Sequence, residues 1–84
     1  MTRGKIWQSR QPVRGLSDAW ITSKVKSTFA LDPEVSIWAI SVETNEGGIV
    51  TLRGTVSTSR IASKAVIDAL DVTGVNAVET YLEF

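Results

Sequence analysis

Neither cysteine nor histidine occurs among the 84 residues. The first absence rules out disulfides and leaves the redox compartment open. The two together remove the usual zinc sites and the Ser-His and Cys-His nucleophile pairs. Long apolar runs are missing as well: the longest uncharged stretch, Val35 to Val42, is far too short to span a bilayer. Nor is there an excess of charge of either sign, since nine bases balance nine acids. The balance hides a division. Residues 1–15 carry Arg3, Lys5, Arg10 and Arg14 and no acid, whereas residues 16–84 carry five bases against nine acids, a net charge of −4. A basic segment precedes an acidic domain, so overall neutrality does not exclude a charged partner.

At this length the chain allows one domain with one small core, and a hydrophobic share of 43% is ordinary for a folded protein. Residues 1–15 show no apolar periodicity and read as a flexible basic arm, which leaves 16–84 as the folded domain. The arm does not read as a signal peptide, because no apolar stretch follows its basic residues, and a cytoplasmic location stays open on this reading.

The pattern of GGIVTLRGTV, Gly47 to Val56, organises the rest. Val50, Leu52 and Val56 repeat at every second position with Gly54 in the same phase, while Thr51, Arg53 and Thr55 alternate with them. This is a strand with one buried and one wet face. Asn45-Glu46-Gly47-Gly48 before it reads as a hairpin turn that needs positive φ. A glycine in the buried phase of a strand marks close approach of another element, and Gly54 is expected to receive a helix.

Upstream, Ser17 can cap a helix running to Ala30, in which Ile21, Val25 and Phe29 form one stripe. Pro33 disfavours helical backbone at Asp32 and ends it. Val35 to Thr44 is expected as the first strand, with Trp38, Ile40 and Val42 in one phase. Downstream, Ser57 is expected to cap a second helix from Thr58 to about Val72, with Ile61, Ala62, Ala65, Val66, Ala69 and Leu70 on its apolar face. Gly74 is placed for a left-handed C-terminal cap, and Val75 and then Val78, Thr80 and Leu82 make a last strand that ends at Phe84. The order α-β-β-α-β predicts an α+β two-layer sandwich: a three-stranded mixed sheet, its middle strand the organising one, with two helices on one face. On the other face Arg53 is expected to pair with Glu43 and Glu79.

Several of these stretches resemble a known family. They are Asp18-Ala19-Trp20-Ile21-Thr22 with Lys24-Val25-Lys26, then Ile40 and Val42, then Gly48 with Val50 to Val56, then Ala65, and finally Gly74-Val75 and Val78. In this combination the sequence is similar to a BON domain, the module of bacterial osmotically induced periplasmic and nodulation-related proteins. The resemblance covers Ser17 to Leu82. It implies an α-β-β-α-β fold and a non-catalytic module of the periplasm or cell envelope, linked to osmotic or envelope stress, that binds phospholipid or membrane surfaces. It supplies no catalytic motif, no cofactor and no metal, and Gly47, Gly48, Gly54 and Gly74 map onto it as structural glycines.

The residues suited to an anionic lipid surface are Trp20 with Lys24 and Lys26, aided by Trp7, Arg10 and Arg14 of the arm. Trp20 has an alternative use in closing the core. Spaced basic residues beside Trp7 would suit nucleic acid too, but the acidic domain shows no basic stripe, and nucleic acid is not the expected partner. The competing function is a protein-interaction module that joins an assembly through an open sheet edge or the wet sheet face.

Overall fold

The computed structural model describes residues 5–8 and 15–84. Its elements are β1 (Lys5–Gln8), α1 (Asp18–Leu31), β2 (Ile40–Asn45), β3 (Ile49–Thr55), α2 (Ser59–Leu70) and β4 (Ala77–Glu83). They form one mixed sheet in the order β1-β4-β3-β2. The organising strand β3 lies between β2, which is antiparallel to it, and β4, which is parallel and is reached through α2. The sheet has four strands where three were expected. The addition comes from the basic segment: Lys5–Gln8 runs antiparallel to β4, with Trp7 opposite Val78. No periodicity is legible in four residues, so only the pairing reveals this strand. Residues 1–4 and 9–14 of the arm lie outside the described residues.

Register explains the core. Val42, Leu52 and Thr80 form one row across the sheet, and Thr44, Val50 and Val78 the next. The inner-facing Ile40, Val50, Leu52, Val78 and Leu82 pack in a single cluster with Ile21, Val25 and Phe29 of α1 and with Ala65, Val66 and Ala69 of α2. Both helices therefore cover one face. Phe29, Ile21 and Leu52 are the largest wholly enclosed side chains, each contributing ~1.5–3 kcal/mol of hydrophobic burial. The alanines of α2 let its backbone approach the sheet.

Helix ends follow local chemistry. Ser17 Oγ accepts from the Trp20 amide at 3.1 Å and caps α1. At the other end Asp32 is extended (φ −95°, ψ 110°), as a residue before proline must be. For α2 the cap is Thr58 rather than Ser57: Thr58 Oγ1 accepts from the Ile61 amide at 3.2 Å. Both hydroxyl residues precede the helix, and the one with its oxygen three positions ahead of a free amide wins. The helix stops at Leu70, so Gly74 (φ +98°) is not its cap. It turns the chain beside Leu16 and Ile21, where a Cβ would lie 2.6 Å from Leu16 Cδ1.

Two further expectations are corrected. The first long strand begins at Ile40, not Val35, because residues 37–39 form a turn in which the Ala39 amide bonds to Ser36 O. Trp38 sits in that turn, 92% exposed, and shares no phase with Ile40. Gly54 (φ +140°) does receive a close neighbour, but it is backbone and not a helix: a Cβ there would collide with the carbonyl oxygen of Ala39. The positive φ and the adjacent carbonyl together restrict the position to glycine.

The hairpin before β3 is pinned from a distance. Gly47 and Gly48 both have positive φ. Asn76 Nδ2 donates to Gly47 O at 2.8 Å, and the Asn76 amide donates to Gly48 O at 2.9 Å. The loop leading into β4 thereby fixes the turn between β2 and β3.

Candidate functional site

With Ile21, Val25 and Phe29 turned into the core, helical geometry leaves Trp20 and Lys24, one turn apart, on the outward side of α1. Trp20 is 39% exposed, and the Lys24 ammonium stands 5.5 Å from the centroid of its ring. An exposed cation–π contact of this kind contributes ~0.5–1 kcal/mol. It also holds an amphipathic indole beside a positive charge. Lys26 is exposed as well, but two positions beyond Lys24 places it on another side of the helix. The structure therefore brings Trp20 and Lys24 together and leaves Lys26 apart.

Trp7, 47% exposed, belongs to β1. That strand is one edge of the sheet and is approached by α2, whereas α1 packs against β2 at the other edge. Trp7 thus does not join Trp20. Arg10 and Arg14 lie outside the described residues.

A second exposed apolar group was not foreseen. Leu31 ends α1, Ile37 and Trp38 occupy the turn before β2, and Phe84 follows β4. Their exposures of 85%, 40%, 92% and 71% are high for such side chains. Register puts the start of β2 and the ends of β3 and β4 side by side, since Ile40 pairs with Gly54 and Gly54 with Leu82. These residues therefore mark one end of the molecule.

On the uncovered face of the sheet the expected ion pairs do not form. Arg53 is opposite Ser41 and Tyr81, whereas Glu43 and Glu79 flank Thr51, one step along the same face. All three charges are on the polar phase, as the alternation required, but the stagger separates them. The Arg53 guanidinium instead stacks 4.5 Å from the centroid of Tyr81, and the Tyr81 hydroxyl donates to Glu79 Oε1 at 2.6 Å. That hydrogen bond raises the Tyr81 pKa above its ordinary value, with burial and the Glu79 charge adding to it. Thr51, at the centre of this row, is buried and accepts from Asn45 Nδ2 at 3.3 Å.

Sequence reading also missed a polar cluster where the chain leaves α1. Lys64 Nζ is 3.2 Å from Asp32 Oδ2, and Arg60 pairs with Glu34. Asp68 shares the site with Asp32: desolvation and the neighbouring Asp32 carboxylate push its pKa up to about 6. Asp32 moves the opposite way, lowered chiefly by the neighbouring Asp68 carboxyl and then by the hydrogen bond from the Glu34 amide. The one-turn spacing of Lys64 and Asp68 on α2 was the available signal, but nothing local to either helix tells that Asp32 meets them.

No three His, Cys, Asp or Glu side chains gather as metal ligands among the described residues. None of the described helices is long and apolar enough to cross a membrane.

The family model of the BON domain matches residues 17–84. The chain belongs to the BON domain family. The match opens at Ser17, the cap of α1, and so takes in both helices and three strands while leaving β1 outside it. BON domains are generally non-catalytic binding modules, associated with membranes or the cell envelope and engaging lipid and protein partners. Among curated proteins no individual sequence matches the chain.

Proposed function

We propose that this BON domain is a phospholipid-binding module of the bacterial envelope that meets anionic headgroups through α1. The observation that carries the reading is the Lys24 ammonium held 5.5 Å over the half-exposed ring of Trp20. An indole seats at the headgroup level of a bilayer, where its apolar body and polar N–H are both accommodated, and the adjacent ammonium faces phosphate. Lys26 and the basic segment that includes Arg10 and Arg14 add attraction at longer range, about one Debye length or ~8 Å at physiological salt. The link to osmotic or envelope stress belongs to the same reading.

Co-sedimentation with vesicles tests it. The domain should pellet with phosphatidylglycerol vesicles, less with phosphatidylcholine vesicles, and should be released by high salt. Trp20→Ala should reduce pelleting while the circular dichroism spectrum and melting profile stay close to wild type. Equal binding to both vesicle types, or a Trp20→Ala variant that melts far below wild type and binds as before, would overturn the assignment.

The protein-interaction reading has one observation in its favour: among the described residues, β2 is a sheet edge with one side unpaired. Such an edge accepts an added strand through its free amides and carbonyls. NMR shifts confined to β2 on adding envelope proteins, with none on adding lipid, would favour it.

A further inference from the structure

The segment between α1 and β2, residues 32–39, has no place in the sheet, yet Val35 within it is buried in the core. It is tied to α2 at two points, Glu34 to Arg60 and Asp32 to Lys64, and the second is the more enclosed. Asp32, the first residue after α1, folds back on itself: its Oδ1 accepts from the Glu34 amide at 3.0 Å, and the Val35 amide bonds to Asp32 O at 3.2 Å. Its other carboxylate oxygen turns to α2, 3.2 Å from Lys64 Nζ, with only 9% of the side chain left exposed. Asp68, one turn beyond Lys64 on α2, brings a second carboxyl to the same spot. Asp32 Oδ2 and Asp68 Oδ2 are both shut off from water, and neither accepts a well-directed hydrogen bond.

Two carboxylates side by side and away from water cannot both be ionised without cost. A single proton between them resolves the arrangement: the Asp68 carboxyl donates to the Asp32 carboxylate, which keeps its ammonium partner. We propose that Asp32 and Asp68 form a proton-operated clasp that fastens the α1–β2 segment to α2 and loosens when the proton leaves. The charged groups around it are Asp32 and Glu34 from the segment, and Lys64, Arg60 and Asp71 from α2 and its end. Arg60 is occupied by Glu34. Lys64 pulls the Asp68 pKa down, while Asp32 and Asp71 push it up.

The sign follows from these partners. In mildly acidic solution Asp68 is protonated, Asp32 is charged and the clasp is closed. Above the Asp68 midpoint, the proton passes to solvent, two carboxylates share one ammonium, and the segment loosens. The segment carries Ile37 and Trp38, the most exposed aromatic residue of the domain. The clasp therefore governs how rigidly the apolar end of the molecule is presented. This inference does not depend on lipid binding.

Carboxyl-detected NMR titration of the wild-type protein, combined with amide exchange, tests it. Asp68 should titrate with a midpoint near 6. After correction for intrinsic exchange rates, protection of the Glu34 and Val35 amides should fall several-fold from pH 5 to pH 7.5 as the proton leaves Asp68. Asp68→Asn supplies a permanent donor and should hold that protection at its acidic level across the range. Lys64→Met removes the group that lowers the Asp68 pKa and should move the midpoint above 6. An Asp68 midpoint near 4, protection unchanged with pH in wild type, or the same pH dependence in Asp68→Asn would each overturn the proposal. Should Asp68→Asn fail to fold, the wild-type titration and Lys64→Met still decide.

Discussion

Gly54→Ala adds one methyl group to the middle of the domain and should be among its most damaging substitutions. Two costs combine. The backbone there has φ +140°, where a residue bearing a Cβ is strained by ~1–3 kcal/mol. The new methyl would also collide with the carbonyl oxygen of Ala39, with Ile40 Cα only 3.3 Å away. Both obstacles are backbone, and that backbone is held by the β2–β3 ladder and the 36–39 turn, so neither can swing aside as a side chain would. Overpacking of this kind costs a further ~1–3 kcal/mol. A combined loss of ~2–6 kcal/mol is a large part of the ~4–13 kcal/mol that a domain of this size possesses. It should lower the Tm by at least ~8 °C, at ~4–8 °C per kcal/mol. Gly47→Ala is the matched control: its φ is also positive, +84°, but nothing lies within 4 Å of the added methyl. It should lose only the ~1 kcal/mol of the conformational term. Thermal and urea melts of both variants against wild type give the comparison. If Gly54→Ala melts within a few degrees of wild type, or no lower than Gly47→Ala, the backbone-contact argument is wrong.

Thr58→Ala should destabilise the domain by ~1 kcal/mol in urea melts through loss of the α2 cap, whereas Ser57→Ala should have little effect. The Tyr81 hydroxyl should ionise above its ordinary range in ultraviolet titration, and Glu79→Gln should bring it back toward 10. Folding stability should depend on pH through the acid pair. Asp68 holds its proton more tightly folded than unfolded, so its contribution is full below pH ~4 and is lost as pH rises through about 6. Asp32 is shifted downward, so its contribution is full above pH ~4 and is lost on further acidification. Urea melts between pH 4 and 8 should therefore show maximal stability in the mildly acidic range. At pH 7.5 Asp68→Asn should be more stable than wild type by ~1 kcal/mol, a figure reduced for solvent screening at the site.

The elements whose faces differ in polarity were legible from the residues. The stripe of Ile21, Val25 and Phe29, the alternation around Leu52 and the alanine face of α2 each state a period, and burial enforces it. Ser17 as a cap and the break at Asp32-Pro33 were legible for the same local reason. What failed involved a partner far along the chain. Trp38 looked like a strand residue because Ile40 and Val42 continue its phase, but Gly54 brings the Ala39 carbonyl close and the ladder ends there. Arg53, Glu43 and Glu79 were correctly placed on one face, yet ion pairing depends on stagger, which alternation does not encode. β1 is too short to carry a period. The contact of Lys24 with Trp20 follows from their one-turn spacing, whereas the meeting of Asp32 with Asp68 depends on how two helices pack, and no spacing reports that.

The pairing of β1 with β4 joins Lys5 to Thr80, among the most widely separated residues in the sheet. Closing so large a loop carries an entropic penalty that the β2–β3 hairpin, with its three-residue turn, hardly meets. The β2–β3–α2–β4 unit can therefore condense first, and β1 joins a surface already made. During that interval β4 has a bare outer side, although its inner residues Val78 and Leu82 belong to the core. A strand with a hydrophobic face and a free edge is the feature through which chains associate with one another. β1 thus acts as a cover as much as a strand, and whatever displaces it turns an interior strand of the sheet into a site for a second chain.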